Sequence, residues 1–241
     1  MIAALVSAAA LAGVLDAAPP PPPQSAAPRR IALLVGIDQY DDPELGDLRF
    51  AAQDAVDLAE VLADPDGGAF DTVRVLSGEV TAPQIWEALD GITAYLRRDD
   101  TFLLYIAGHG TLSLERGTEL FVMSSESSLD RIRASGVPVD ALQQRITALP
   151  SRRRALVLDT CHSGTGRSVL SQDAERTLAQ VRGPLPAPTA LAVSQSEVRL
   201  YSAHFNQPAL EDGELGNGVY THFLIEALRG AGDLDGDGLV E

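Results

Sequence analysis

Two short polar segments interrupt very apolar runs in this chain. Ala107-Gly108-His109-Gly110 follows TFLLYI, and Asp159-Thr160-Cys161-His162-Ser163-Gly164 follows ALVL. Cys161 is the only cysteine, so no internal disulfide forms. A lone thiol is either a small buried hydrophobe or a reactive group. An imidazole within reach can take or share its proton and yield the thiolate that attacks a carbonyl. Glycine on both sides of His109 lets backbone approach a substrate closely. The N–H groups of Gly110 and Cys161 could then form an oxyanion hole. Spacing alone leaves a structural cysteine beside an unrelated loop histidine as an equally good account. Three other histidines compete for the base role less well. His162 is adjacent to Cys161, and consecutive side chains tend to point apart. His204 falls in a loop, and His222 sits between Thr221 and Phe223 on a helix.

The elements around these segments have clear periods. Ile31 to Gly36 is a continuous apolar run, as a strand buried on both faces requires. Leu48, Ala51, Ala55, Leu58, Ala59 and Leu62 recur at helical spacing. Thr72 to Leu76 predicts a short strand. Thr81 and Gln84 form a capping box, with Pro83 in the first turn, before a helix marked by Ile85, Leu89, Ile92 and Leu96. Thr101 to Ala107 is a second buried strand, and Phe121 to Met123 a shorter one. Val139, Leu142, Ile146 and Leu149 mark a helix stopped by Pro150. Ala155 to Leu158 and Val198 to Ser202 are strands. Val219, Tyr220, Phe223, Leu224 and Leu228 mark a last helix, ended by Gly230. Residues 165–196 have little periodicity and predict a long loop. This alternation predicts an α/β fold, a mostly parallel central sheet flanked by helices on both faces. Chemistry in such sheets gathers beyond the carboxyl ends of the strands, where both polar segments fall.

Composition bounds the rest. The chain has 241 residues, 45% hydrophobic, with a formal charge of -16. Nucleic-acid binding needs a basic face, so that balance argues against it. All basic residues are Arg. Ile2 to Leu15 is apolar but too short to span a bilayer comfortably. With Ala17 and Ala18 after it, residues 1–18 read as a signal peptide, although no basic residue precedes Arg29. The expectation is export to a periplasm or the outside, with no stable membrane span in the mature chain. A cytoplasmic location follows if the run is not a signal. Residues 19–29 are a proline-rich linker, opening on the extended run Pro19 to Pro23. The folded domain is expected over 30–241.

YIAGHG followed about fifty residues later by LDTCHSG resembles the caspase-like cysteine peptidases, most closely their metacaspase and bacterial orthocaspase branch. IALLVGIDQY with DLRFAAQDAVDLAEVL, and YSAHFNQPALE with GVYTHFLIEALRGAGDLDGDG, extend the resemblance from about Arg30 to the final residue. It implies the caspase-hemoglobinase fold and an endopeptidase acting through a thioester, with no organic cofactor. His109 matches the general base and Cys161 the nucleophile. Asp159 and Asp54 match two acidic walls of the pocket for the residue before the scissile bond. Such a pocket implies peptide or protein substrates with Arg or Lys there. The sequence departs from the family at Asn217, where His is usual, and at Tyr220, where Phe is usual. The resemblance also implies a further strand beyond Glu241. Other readings are a non-proteolytic scaffold on the same fold and transpeptidation on the same dyad.

Asp233, Asp235 and Asp237, with Gly238, match the first half of an EF-hand calcium loop. The twelfth position of such a loop lies beyond Glu241, and an acidic turn before a strand is the simpler account. Calcium is still carried as a candidate activator.

Overall fold

The apolar runs become the centre of a parallel sheet. The structure, a computed structural model, describes residues 27–113, 119–160, 196–202, 211–213 and 215–236. In chain order the first elements are β1 (Arg30–Ile37), α1 (Ala51–Ala63), β2 (Thr72–Gly78), α2 (Ala82–Thr93), β3 (Thr101–Gly108), β4 (Gly110–Ser113) and β5 (Glu119–Val122). The short helix α3 (Ile132–Ser135), β6 (Val137–Pro138), α4 (Val139–Thr147) and β7 (Arg153–Thr160) follow. β8 (Ser196–Tyr201), β9 (Glu211–Asp212), β10 (Asn217–Gly218) and α5 (Val219–Glu226) complete the described elements. The main sheet has the order β2-β1-β3-β7-β8, with all four pairings parallel.

Side chains alternate across each strand, so each face has its own core. On one face Leu33, Val35, Leu104, Ile106, Leu156 and Leu158 pack with Ile85 and Leu89 of α2 and Leu142 and Ile146 of α4. On the other, Ala32, Leu34, Tyr105 and Val157 pack with Ala55 and Leu58 of α1 and Ile225 of α5. Each fully buried Leu or Ile contributes roughly 1.5–3 kcal/mol, so the two cores dominate stability. Helices thus cover both faces of the sheet, as the alternation predicts.

The capping box at α2 forms as expected. The Thr81 side chain accepts from the Gln84 N–H, and the Gln84 side chain takes the Thr81 N–H. Three elements differ in detail from expectation. Leu48 precedes α1, which begins at Ala51. The strand expected near Phe121 lies outside the main sheet. It pairs antiparallel with β4 and β6 in a small three-stranded sheet. Only five residues separate β4 from β5 in the sequence, too few for a crossover to a parallel neighbour, so the two pair antiparallel. The last helix widens to a π-type stretch over Ala227–Ala231, where Gly230 has φ of 115°. Glycine alone adopts that angle without strain.

One glycine sets how closely α1 approaches the sheet. A Cβ at Gly36 would lie 2.1 Å from the Ala51 carbonyl oxygen. The carboxyl end of β1 and the start of α1 therefore touch through backbone. That contact puts the first turn of α1, with Asp54, beside the ends of the strands.

Candidate active site

β3 and β7 are parallel neighbours, paired in register from Thr101↔Arg153 to Gly108↔Thr160. His109 is the next residue after Gly108, and Cys161 the next after Thr160. Cys161 itself lies outside the described residues, as do His162, His204 and the loop arginines Arg167, Arg176 and Arg182.

His109 is half-buried and held by its neighbours. Its N–H donates to the Tyr40 hydroxyl at 2.8 Å, and that hydroxyl donates to the Ile37 carbonyl at 2.9 Å. The two rings lie 4.7 Å apart, tilted by 44°. The imidazole Nε2 sits 3.0 Å from the Gly46 carbonyl oxygen. A carbonyl only accepts, so Nε2 carries the proton and Nδ1 is the basic nitrogen. Glycine suits position 108, where φ is 157° and a Cβ would lie 3.0 Å from the Tyr40 hydroxyl, closer than an ordinary contact. Neither Tyr40 nor Gly46 was predicted as a site residue. The polar segment after β1, Asp38-Gln39-Tyr40, is the signal in the sequence that marks the first of them.

Gly110 is buried and opens β4 opposite Val122. The Met123 N–H donates to the His109 carbonyl at 2.9 Å. In an antiparallel ladder this makes Gly110 and Val122 a pair that does not exchange hydrogen bonds. The Gly110 N–H therefore points away from β5, as a donor to a substrate oxyanion must.

The acidic candidates meet on the α1 face of the sheet. Asp54 lies on the buried side of α1 and is only 3% exposed; Asp159, on β7, is 8% exposed. A solvated Asp54 is thereby ruled out. Both carboxylates converge on Gly218, where a Cβ would lie 2.8 Å from Asp54 Oδ2 and 3.4 Å from Asp159 Oδ2. The Gly218 N–H donates to both Asp54 oxygens, at 3.0 and 3.2 Å. The Thr221 hydroxyl donates to Asp159 Oδ2 at 2.6 Å. Asn217 Nδ2 donates to Asp57 Oδ2 at 2.8 Å, one turn further along α1. Burial, followed by the Asp159 and Asp54 charges, pushes the Tyr105 hydroxyl well above its ordinary pKa. Burial and then Asp159 push Tyr220 up to about 12. Two carboxylates thus lie side by side in a buried setting beside the start of α5.

His222 stacks edge-on against Phe223, with centroids 5.3 Å apart, on the last helix. At the candidate calcium loop, Asp233 Oδ1 accepts from the Gly236 N–H at 2.7 Å. Asp235 is exposed, and Asp237 lies outside the described residues. Among the described residues, no group of three or more His, Cys, Asp or Glu side chains is arranged to hold a metal. No described helix is long and apolar enough to cross a membrane.

A family model for the caspase domain matches residues 29–237. Among solved structures, the chain is similar to protein GSU0716 from Geobacter sulfurreducens. The TM-score is 0.59 at 21% identity, covering 84% of this chain and 82% of that one. It is also similar to caspase-1 from Spodoptera frugiperda, with TM-score 0.57 at 15% identity, covering 84% of this chain and 69% of that one. At such identities the likeness is one of fold. A comparison with curated proteins finds no match.

Proposed function

We propose that this chain, which belongs to the caspase-domain family of cysteine peptidases, is an endopeptidase that cuts after Arg or Lys. The observation that carries the reading is the register of β3 and β7, which ends at Gly108↔Thr160. The residues that follow this pair are the histidine and the cysteine. In the proposed mechanism Cys161 gives its proton to His109 Nδ1, and the thiolate attacks the scissile carbonyl. The N–H groups of Gly110 and Cys161 hold the oxyanion. His109 then protonates the leaving amine, which departs and leaves a thioester on Cys161. Water, deprotonated by His109, hydrolyses the thioester and frees the thiol. Asp54 and Asp159 receive the basic side chain before the scissile bond. Their burial and convergence support that role, because a guanidinium matches carboxylate geometry and is weakly hydrated.

Fluorogenic peptides ending in Arg, Lys or Asp test this. The wild type should cleave the Arg and Lys peptides and leave the Asp peptide. Cys161→Ala should abolish turnover, and His109→Ala should cost several orders of magnitude, as members of such pairs do. Asp159→Ala should lower kcat/KM for Arg by roughly 2 kcal/mol or more. Near-normal rates in Cys161→Ala would sink the peptidase reading. Unchanged Arg preference in the Asp54→Ala, Asp159→Ala double variant would sink the pocket. Adding a chelator to the same assay decides whether calcium activates the enzyme.

A further inference from the structure

Tyr105, Thr221 and Asp159 form a chain of side-chain hydrogen bonds, fully buried at its Tyr105 and Thr221 end. The Tyr105 and Thr221 hydroxyl oxygens are 2.5 Å apart, and Thr221 Oγ1 lies 2.6 Å from Asp159 Oδ2. Tyr105 and Thr221 are both 0% exposed. Proton accounting fixes the direction of the chain. The carboxylate only accepts, so the single Thr221 proton goes to Asp159. Tyr105 must then donate to Thr221. Burial keeps the Tyr105 hydroxyl protonated and so able to donate.

The chain joins three elements. Tyr105 lies on β3, Asp159 on β7, and Thr221 in the first turn of α5. Gly218, which holds Asp54, is the N-cap of the same helix. One helix N-terminus thus fastens both carboxylates, and its partial positive charge lies favourably beside them. Tyr105 also supports Thr221 from the sheet, so the hydroxyl has one arrangement open to it.

We propose that Thr221, backed by Tyr105, is the positioning residue that orients the Asp159 carboxylate and keeps it charged, and so sets the preference for a basic residue before the scissile bond. This rests on the reading of Asp159 as a substrate-binding carboxylate. Neither hydroxyl touches substrate; both act through Asp159. A hydrogen bond to an ionised group is among the stronger ones, so its loss should be visible in binding.

The test uses Thr221→Val, Thr221→Ser and Tyr105→Phe in the full chain. Arg-peptide kinetics are measured across the acidic and neutral range. Agmatine binding is measured by calorimetry in a Cys161→Ala background, which needs no turnover. Thr221→Val should raise KM for the Arg peptide about tenfold with little change in kcat. It should weaken agmatine binding by a similar factor. The acidic limb of kcat/KM should move to higher pH, because a carboxylate that loses a donor takes up a proton more readily. Tyr105→Phe should move both readouts the same way by less, and Thr221→Ser should restore them. If Thr221→Val does not fold, Tyr105→Phe against Thr221→Ser decides the matter. A variant that merely loosens the fold would lower the melting temperature and leave the acidic limb in place, which overturns the proposal. Equal agmatine binding with and without the Thr221 hydroxyl overturns it too, while leaving the pocket reading intact. Failure of the Cys161→Ala protein with Thr221 intact to bind agmatine removes the pocket itself, and the proposal with it.

Discussion

At the scale of single residues, the histidine is useful as a base only if its ring is aimed and its tautomer chosen. The Gly46 carbonyl selects the tautomer, and Tyr40 holds the backbone at the point where β3 ends. Tyr40→Phe would keep the ring contact but remove both hydrogen bonds of the hydroxyl. The His109 N–H would lose its acceptor, at about 1–3 kcal/mol. The imidazole would also lose its fixed origin, and small misplacements of a catalytic group are expensive in rate. The expected outcome is a fall in kcat of about tenfold or more, with KM nearly unchanged and a lower melting temperature. A variant with normal kcat would show that Tyr40 is a packing residue only. In the sequence, glycine-flanked polar groups leaving apolar strands draw attention to His109, Gly110 and Cys161, and their roles follow from the family resemblance. It points to Asp54 and Asp159 only through a family resemblance. Tyr105 and Thr221 were not legible, since a tyrosine inside TFLLYI reads as core and its partner is 116 residues away.

At the scale of elements, the site depends on how α1 and α5 meet the strand ends. Gly36 permits the α1 contact, and its glycine is explained by a distance that no periodicity reveals. Gly36→Ala would set a Cβ against the Ala51 carbonyl, so helix and strand must separate. The expected loss is about 3 kcal/mol, at the upper end of overpacking effects. Denaturant melts measure it, and a loss under about 1 kcal/mol would mean that α1 slides at little cost. The strand and helix pattern was readable because the buried strands are continuous apolar runs. The small β4-β5-β6 sheet was not, because a strand of four residues has no period long enough to show its partners. A second prediction concerns residues 165–196, which connect β7 to β8. Those strands pair directly, from Arg153↔Ser196 to Leu158↔Tyr201. An enzyme that cuts after Arg meets Arg167, Arg176 and Arg182 in this connection, and a cut there leaves both pieces joined through one sheet. Incubated wild type should therefore show two co-migrating fragments by intact mass, and Cys161→Ala should stay whole. Identical patterns in the two proteins, or no cut at those arginines, would refute self-cleavage.

At the scale of the whole molecule, an ionic anchor and the chemistry sit at opposite ends of the sheet. Asp100 lies at the end away from the site, and its side chain is fully buried. Its carboxylate accepts from the Arg29 N–H at 2.9 Å and the Arg97 N–H at 2.9 Å. It also pairs with both guanidinium groups, at 2.7 and 2.9 Å. Its carbonyl accepts from the Ser151 hydroxyl at 2.6 Å. One residue thus ties together the entry to β1, the turn before β3 and the approach to β7. Burial raises its pKa, but the hydrogen bonds from Arg29 and Arg97 outweigh burial and hold the carboxyl well below the usual range. A folded-state pKa below the unfolded value means that the contribution is complete above about pH 4. It is lost as pH falls from there toward the folded value. The formal charge of -16 works in the opposite direction, since protonating surface carboxylates relieves repulsion. Wild type alone therefore cannot isolate the anchor, and the difference from Asp100→Asn can. At neutral pH the variant should be less stable by about 1–3 kcal/mol, a figure discounted because both guanidinium groups are a third or more exposed. Below about pH 4 the two stability curves should converge, because the wild type loses what the variant already lacks. Curves that run parallel through the acid range would show that Asp100 does not hold this end of the sheet through its charge.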